Sequence, residues 1–88
     1  MLFTYIVNSD SIEIELFSKV IKTIALADIK EIRHGVSLFS QSWCNPWPMQ
    51  FISIKLRKGI LRNVIINPED RDLFIREVEQ NRIELGKL

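Results

Sequence analysis

The stretch from Phe51 to Gln80 constrains this chain more than any other. Phe51–Arg57 and Ile60–Ile66 are apolar-rich runs of strand length on either side of Lys58-Gly59, a turn pair. Asn67-Pro68-Glu69-Asp70 then opens a helical pattern. Asn67 suits the N-cap, where its side chain accepts a first-turn N–H. Pro68 suits the first helical position, where its missing N–H costs nothing. Glu69, Asp70 and Asp72 place negative charge at the positive end of the helix dipole. Phe74 and Val78 form an apolar stripe that Leu85 extends if the helix lasts that far and that Leu73 and Ile75 flank, while Arg71, Arg76, Glu77, Glu79, Gln80 and Arg82 supply the solvent side. The order predicts a small antiparallel sheet closed by one C-terminal helix. A two-residue turn at Lys58-Gly59 sets Leu56 opposite Leu61, but it also sets Ile54 opposite Asn63.

Upstream, Ile12-Glu13-Ile14-Glu15-Leu16 alternates with period two. Ile12, Ile14 and Leu16 share one face and both glutamates the other, as in a half-buried strand. Phe3–Val7 has strand composition, and Asn8-Ser9-Asp10-Ser11 joins the two runs as a turn. Ser18-Lys19 is a weaker turn, followed by a third strand over Val20–Leu26. Ala27–Ile32 reads as a short helical turn or as a continuing strand. Gly35 punctuates the chain, and Val36–Ser40 reads as a fourth strand. Gln41–Met49 is a loop, because Asn45-Pro46 and Trp47-Pro48 exclude helix and central strand.

Eighty-eight residues make one domain, residues 1–88. Aliphatic residues are abundant and the net charge is +1, so the chain is expected to fold and to project no long-range field toward nucleic acid or an acidic membrane. One cysteine allows no internal disulfide, which suits a reducing, cytoplasmic setting. The apolar start, Met1–Val7, lacks the basic flank of a signal peptide. No run approaches the roughly 20 apolar residues of a membrane helix. A soluble chain is the expectation.

Two segments carry a family resemblance. Ile24-Ala25-Leu26-Ala27-Asp28-Ile29 is similar to an isoleucine-proline-leucine-x-aspartate-isoleucine motif, with Ala25 in place of proline. Ile66-Asn67-Pro68-Glu69-Asp70, followed by Phe74, is similar to an isoleucine-serine-proline-x-aspartate…phenylalanine motif, with Asn67 in place of serine. With the order of elements, these make the chain resemble the bacterial pleckstrin-homology-like (PH-like) domains, especially the short YyaB-like type. The resemblance implies a mainly β fold: a bent antiparallel sheet forming a partly open barrel of about six to seven strands, plugged at one end by the helix. It implies little about activity. Such domains mostly lack an assigned function; some form rings, and many adjoin membrane helices that are not found in this chain.

Pleckstrin domains that bind inositol phosphates use cations around the first strand–turn–strand. Here that loop carries Asp10 and is followed by Glu13 and Glu15, so the resemblance does not extend to that ligand. Lys55, Arg57, Lys58 and Arg62 cluster at the second hairpin. They are a candidate anion, lipid-headgroup or nucleic-acid patch, although a solvated hairpin guarded against edge pairing is the simpler account. Trp43 and Trp47 lie in the proline-bounded loop and are candidate interface anchors; the expectation is one ring inside and one outside. His34 and Cys44 are single, too few for a metal site. No cofactor and no catalytic residue is expected.

The expectation is a non-enzymatic interaction module acting through protein–protein contact, with a second copy as one partner. Asp10, Glu13 and Glu15 would meet Lys55, Arg57, Lys58 and Arg62 of another copy, head to tail. The alternative is a peripheral membrane module using Trp43, Trp47 and the basic hairpin. Nucleic acid is not an expected partner.

Overall fold

The computed structural model describes residues 3–36, 40–59 and 61–87. Seven strands form two sheets, followed by one helix. β1 (Phe3–Val7), β2 (Ser11–Leu16) and β3 (Lys19–Ala25) form an antiparallel meander. A 3-10 turn over Leu26–Asp28 leads into the second sheet. That sheet holds β4 (Ile29–His34), β5 (Ser40–Ser42), β6 (Ile52–Leu56) and β7 (Asn63–Ile66), in the order β4-β6-β7-β5. Helix α1 covers Arg71–Gly86. The mainly β architecture matches the PH-like expectation.

Alternation decides what goes inside. Ile12 and Ile14 on β2 are fully buried, as are Ile52, Ile54, Val64 and Ile66 on β6 and β7. Leu26 and Ile29 at the corner, with Phe74 and Val78 from α1, close the same core. Helix α1 runs from the His34 end of β4 to its Ile29 end. Asp72 lies 3.9 Å from His34, while Asn81 donates to the Asn8 carbonyl and Arg82 to the Ile29 carbonyl (2.9 and 3.0 Å). The register of β4 against β6 shifts between Ile29 and Glu31. Such a bulge leaves carbonyls outside the ladder, and the Arg82 guanidinium reaches those of Ile29 and Lys30. Arg82 is therefore half-buried structural glue rather than part of the helix's solvent side.

The structure corrects several local expectations. The β6–β7 connection is longer than a two-residue turn: Leu56 N–H donates to the Arg62 carbonyl at 2.7 Å. The register moves by one residue and sets Ile54 opposite Val64, with Lys55 opposite Asn63. A one-residue slip exchanges the faces of a strand, and the observed register, unlike the expected one, gives Ile54 an apolar partner. Gln41 and Ser42 are not loop; they belong to β5, which pairs parallel with β7 at the sheet edge. Ser37, Leu38 and Phe39 of the expected fourth strand lie outside the described residues, as does Ile60 of the expected Ile60–Ile66 strand. Of the Ala27–Ile32 alternatives both occur in turn, 3-10 and then strand.

The turn between β2 and β3 is Phe17-Ser18, not Ser18-Lys19. Leu16 pairs with Lys19, and the two residues between them have φ of 50° and 66°. At the helix start, Asn67 is not the cap and Pro68 is not the first helical residue. Asp70 is the N-cap, its carboxylate accepting from Leu73 N–H at 3.0 Å. Asn67 is fully buried and has another task.

Candidate functional site

Asn67 spans two strands' worth of loop. Its Nδ2 donates to the carbonyls of Asn45 (2.7 Å) and Pro48 (2.8 Å), and its Oδ1 accepts from Asn45 N–H (2.7 Å). The Tyr5 hydroxyl sits between the Trp43 carbonyl and Asn67 Oδ1, 3.0 Å from the latter. Both amide protons and the oxygen of Asn67 are thus used, as a buried amide requires. Asn45, also buried, binds both backbone groups of Phe3: Oδ1 accepts from the N–H and Nδ2 donates to the carbonyl at 2.9 Å. One side-chain amide here stands in for a ladder pair at the end of β1.

The result is a loop fixed at both ends by buried amides, carrying Trp47 outward. Trp47 is 71% exposed and Met49 64%. The Trp47-Pro48 peptide is cis. Trp43 turns the other way. It is half-buried against the core and meets Phe3 edge to face, with centroids 6.3 Å apart.

The basic hairpin does not converge on a point. Arg57 is tied to the 3-10 turn, through N–H to the Asp28 carbonyl (2.8 Å) and Nε to the Ala27 carbonyl (3.2 Å). Arg62 Nε closes its own loop on the Gly59 carbonyl at 2.9 Å. Lys55 lies across from Glu31 on β4, and Lys58 is exposed. The acidic residues are similarly dispersed. The Asp10 carbonyl accepts from Leu26 N–H (2.9 Å), Glu13 accepts from Asn8 Nδ2 (2.9 Å), and Glu15 lies across from Thr4 and Val20. Asp10 and Arg57 therefore flank the same 3-10 turn, so the acidic and basic loops share one end of the molecule. The Trp47 loop is at the other end, because β7 runs its whole length between Arg62 and Asn67.

A groove of about 490 Å³ lies between the C-terminal half of α1 and the 3-10 turn, lined by Leu26, Ile29, Arg57, Arg82 and Ile83. Glu79 neutralises Arg82 at 2.8 Å, and the groove lies beside the C-terminal, negative end of the α1 dipole, so it offers an anion little net attraction.

Cys44 and His34 do not meet. His34 ends β4 and Cys44 follows β5, the two edge strands of the second sheet, with β6 and β7 between them. Burial pushes the Cys44 thiol up from its ordinary value, although the Ser42 hydroxyl 3.7 Å away pulls it down; a nucleophile needs the opposite. Among the described residues no group of three His, Cys, Asp or Glu side chains is placed to hold a metal, and no helix is long and apolar enough to cross a membrane.

Two residues of consequence escape sequence reading. Asn67 followed by Pro68 has the same signature as a capped helix start. Phe17 carries no turn signal at all, yet occupies a turn and is 77% exposed.

Comparison with curated proteins and with solved structures yields no match. A family model described as Bacterial PH domain matches residues 3–82, nearly the whole chain, and takes in both sheets and most of α1. The chain belongs to the bacterial PH domain family.

Proposed function

We propose that this chain is a non-enzymatic interaction module that meets a protein partner through the Trp47 loop. The observation that carries the reading is an indole 71% exposed on a backbone fixed by buried Asn67. Tryptophan is enriched at binding hot spots. A loop ordered before contact loses little conformational freedom on binding, which leaves more of the contact energy for affinity. Membership of the bacterial PH domain family suggests an interaction module and agrees with it.

Two finer ideas draw less support. Membrane attachment by the tryptophan loop together with the basic hairpin needs both on one flat surface, and they lie at opposite ends of β7. Head-to-tail contact needs the acidic and basic residues on opposite faces, and Asp10 flanks the same turn as Arg57. Arg57, Arg62 and Glu13 are moreover already bonded within their own chain.

Benzoylphenylalanine placed at position 47 of the full chain tests the reading. Irradiation in the source cells is expected to give a protein adduct, either with a second copy or with another protein. Adducts to lipid alone, or none, overturn it.

A further inference from the structure

The β2–β3 turn places an aromatic ring where the backbone least favours it. Phe17 and Ser18 both have positive φ, the requirement of a two-residue type I′ hairpin, for which Asn-Gly is preferred. A bulky residue at positive φ is an outlier that tends to mark function. No packing explains Phe17, which is 77% exposed. Val20 and Ile21, just beyond the turn, are also exposed.

This tip shares an end with the Trp47 loop. Phe17 follows Leu16, and Leu16 pairs with Phe3. Phe3 is bonded through both backbone groups to Asn45, two residues before Trp47. Phe17, Trp47 and Met49 therefore present exposed apolar surface at one end of the barrel, opposite the charged loops at the 3-10 turn.

The charges around this end decide its occupant. Lys19 pairs with Leu16, and Lys22 follows two residues beyond Val20. Glu15 lies across from Val20 and Thr4, Glu69 lines a hollow with Phe3 and Thr4, and Asp70 and Asp72 open the helix close by. The four carboxylates offset Lys19, Lys22 and Arg71, so this end lacks the net positive charge that an anionic lipid surface attracts. The same patch carries both signs, so a two-fold rotation is able to set lysines of one copy against carboxylates of the other. A net charge of +1 adds no bulk repulsion between copies.

We propose that the Phe17–Trp47 end is an isologous self-association face, on which two copies bury their exposed aromatic rings against each other. It rests on the Trp47 reading and names the partner as a second copy of this chain.

Sedimentation equilibrium from micromolar to millimolar chain is the test, with thermal midpoints taken on dilute protein. The wild type is expected to dimerise reversibly, and Phe17→Asn and Trp47→Ala each to weaken the dimer at least tenfold. Phe17→Asn should also raise the midpoint of the dilute monomer by about 2–6 °C, because asparagine tolerates positive φ. Ser18→Gly relieves the neighbouring position without touching the ring; it should raise the midpoint and leave dimerisation unchanged. A wild-type monomer at millimolar concentration overturns the proposal. If position 47 still crosslinks to another protein, that outcome leaves the Trp47 reading standing. A dimer weakened by Trp47→Ala but not by Phe17→Asn removes Phe17 from the face. Binding of wild type but not Phe17→Asn to phosphatidylglycerol vesicles, without a dimer, assigns the tip to lipid instead.

Discussion

Asn67 ties separate parts of this molecule together. Its amide joins the Asn45–Pro48 loop to the end of β7 and, through Tyr5, to β1. Its removal strands buried groups that have no water to turn to, and each such group costs about 1–3 kcal/mol. Asn67→Ala is expected to destabilise the domain by about 3–4 kcal/mol, a large part of the total of a chain this size. Asn67→Asp should be no milder, since a carboxylate would face the Asn45 and Pro48 carbonyls with no protons to offer. Asn67→Ser separates the two accounts of the residue. A helix cap tolerates serine, whereas a serine here is too short to bridge two carbonyls and should cost about 2 kcal/mol or more. Urea midpoints rank the three variants. Relaxation of the Trp47 amide should report a loosened loop in each; a serine variant as stable as wild type would return Asn67 to the role of a cap. The sequence could not show this, because Asn before Pro reads identically whether the amide turns toward the helix or toward a loop about twenty residues upstream.

Elements were legible where the signal is local and illegible where pairing is long-range. The stripe on α1 was read from spacing alone, and Phe74 and Val78 are indeed its buried pair. Leu73, placed beside the stripe by the same reading, is 45% exposed. Phe74→Ala should accordingly cost about 3–4 kcal/mol by leaving a cavity beneath Tyr5, whose ring it meets edge to face. Leu73→Ala should stay within about 0.5 kcal/mol. Asp70→Ala should lose about 1 kcal/mol, the usual worth of an N-cap. Thermal melts of the three distinguish a stripe centred on Phe74 from one centred on Leu73. The strands tell a different story. Glu13 and Glu15 alternating with isoleucines announced β2, but nothing near Gln41 announced a parallel partnership with Val64, twenty-odd residues on. The β6–β7 register was settled by the need to bury Ile54 against Val64, a tertiary demand that overrode the turn suggested by Lys58-Gly59. Strand β3 is an edge of its sheet, and its bulge at Ile21 with Lys19 and Lys22 on either side discourages another strand from adding there. Contact between copies is therefore better sought at the aromatic end than along this edge.

At the scale of the whole molecule, Tyr5 holds the parts together. Its strand belongs to the first sheet, its hydroxyl reaches the backbone after β5 and the amide before α1, and its ring meets Phe74. Burial raises its phenol from the ordinary 10 to about 12, against the hydrogen bond from Asn67, which pulls it down. Below pH 10 the phenol is neutral in folded and unfolded chains alike, and its contribution to stability is fully present. Between pH 10 and about 12 the unfolded chain loses the proton while the folded chain keeps it, so the equilibrium moves toward unfolding as pH rises. The slope from this group is at most about 1.4 kcal/mol per pH unit, and smaller because the ring is only half-buried. The informative quantity is the difference between wild type and Tyr5→Phe, in which contributions from the rest of the chain cancel. Wild type should be the more stable below pH 10, through the hydrogen bonds of its hydroxyl. That advantage should shrink steadily from pH 10 to 11.5 in urea unfolding. Tyr5 is the single tyrosine of the chain, so tyrosinate absorbance follows the same titration directly. A stability difference that stays constant across this window would mean that the phenol ionises as freely in the fold as in water, and that Tyr5 does not link the two sheets to the helix.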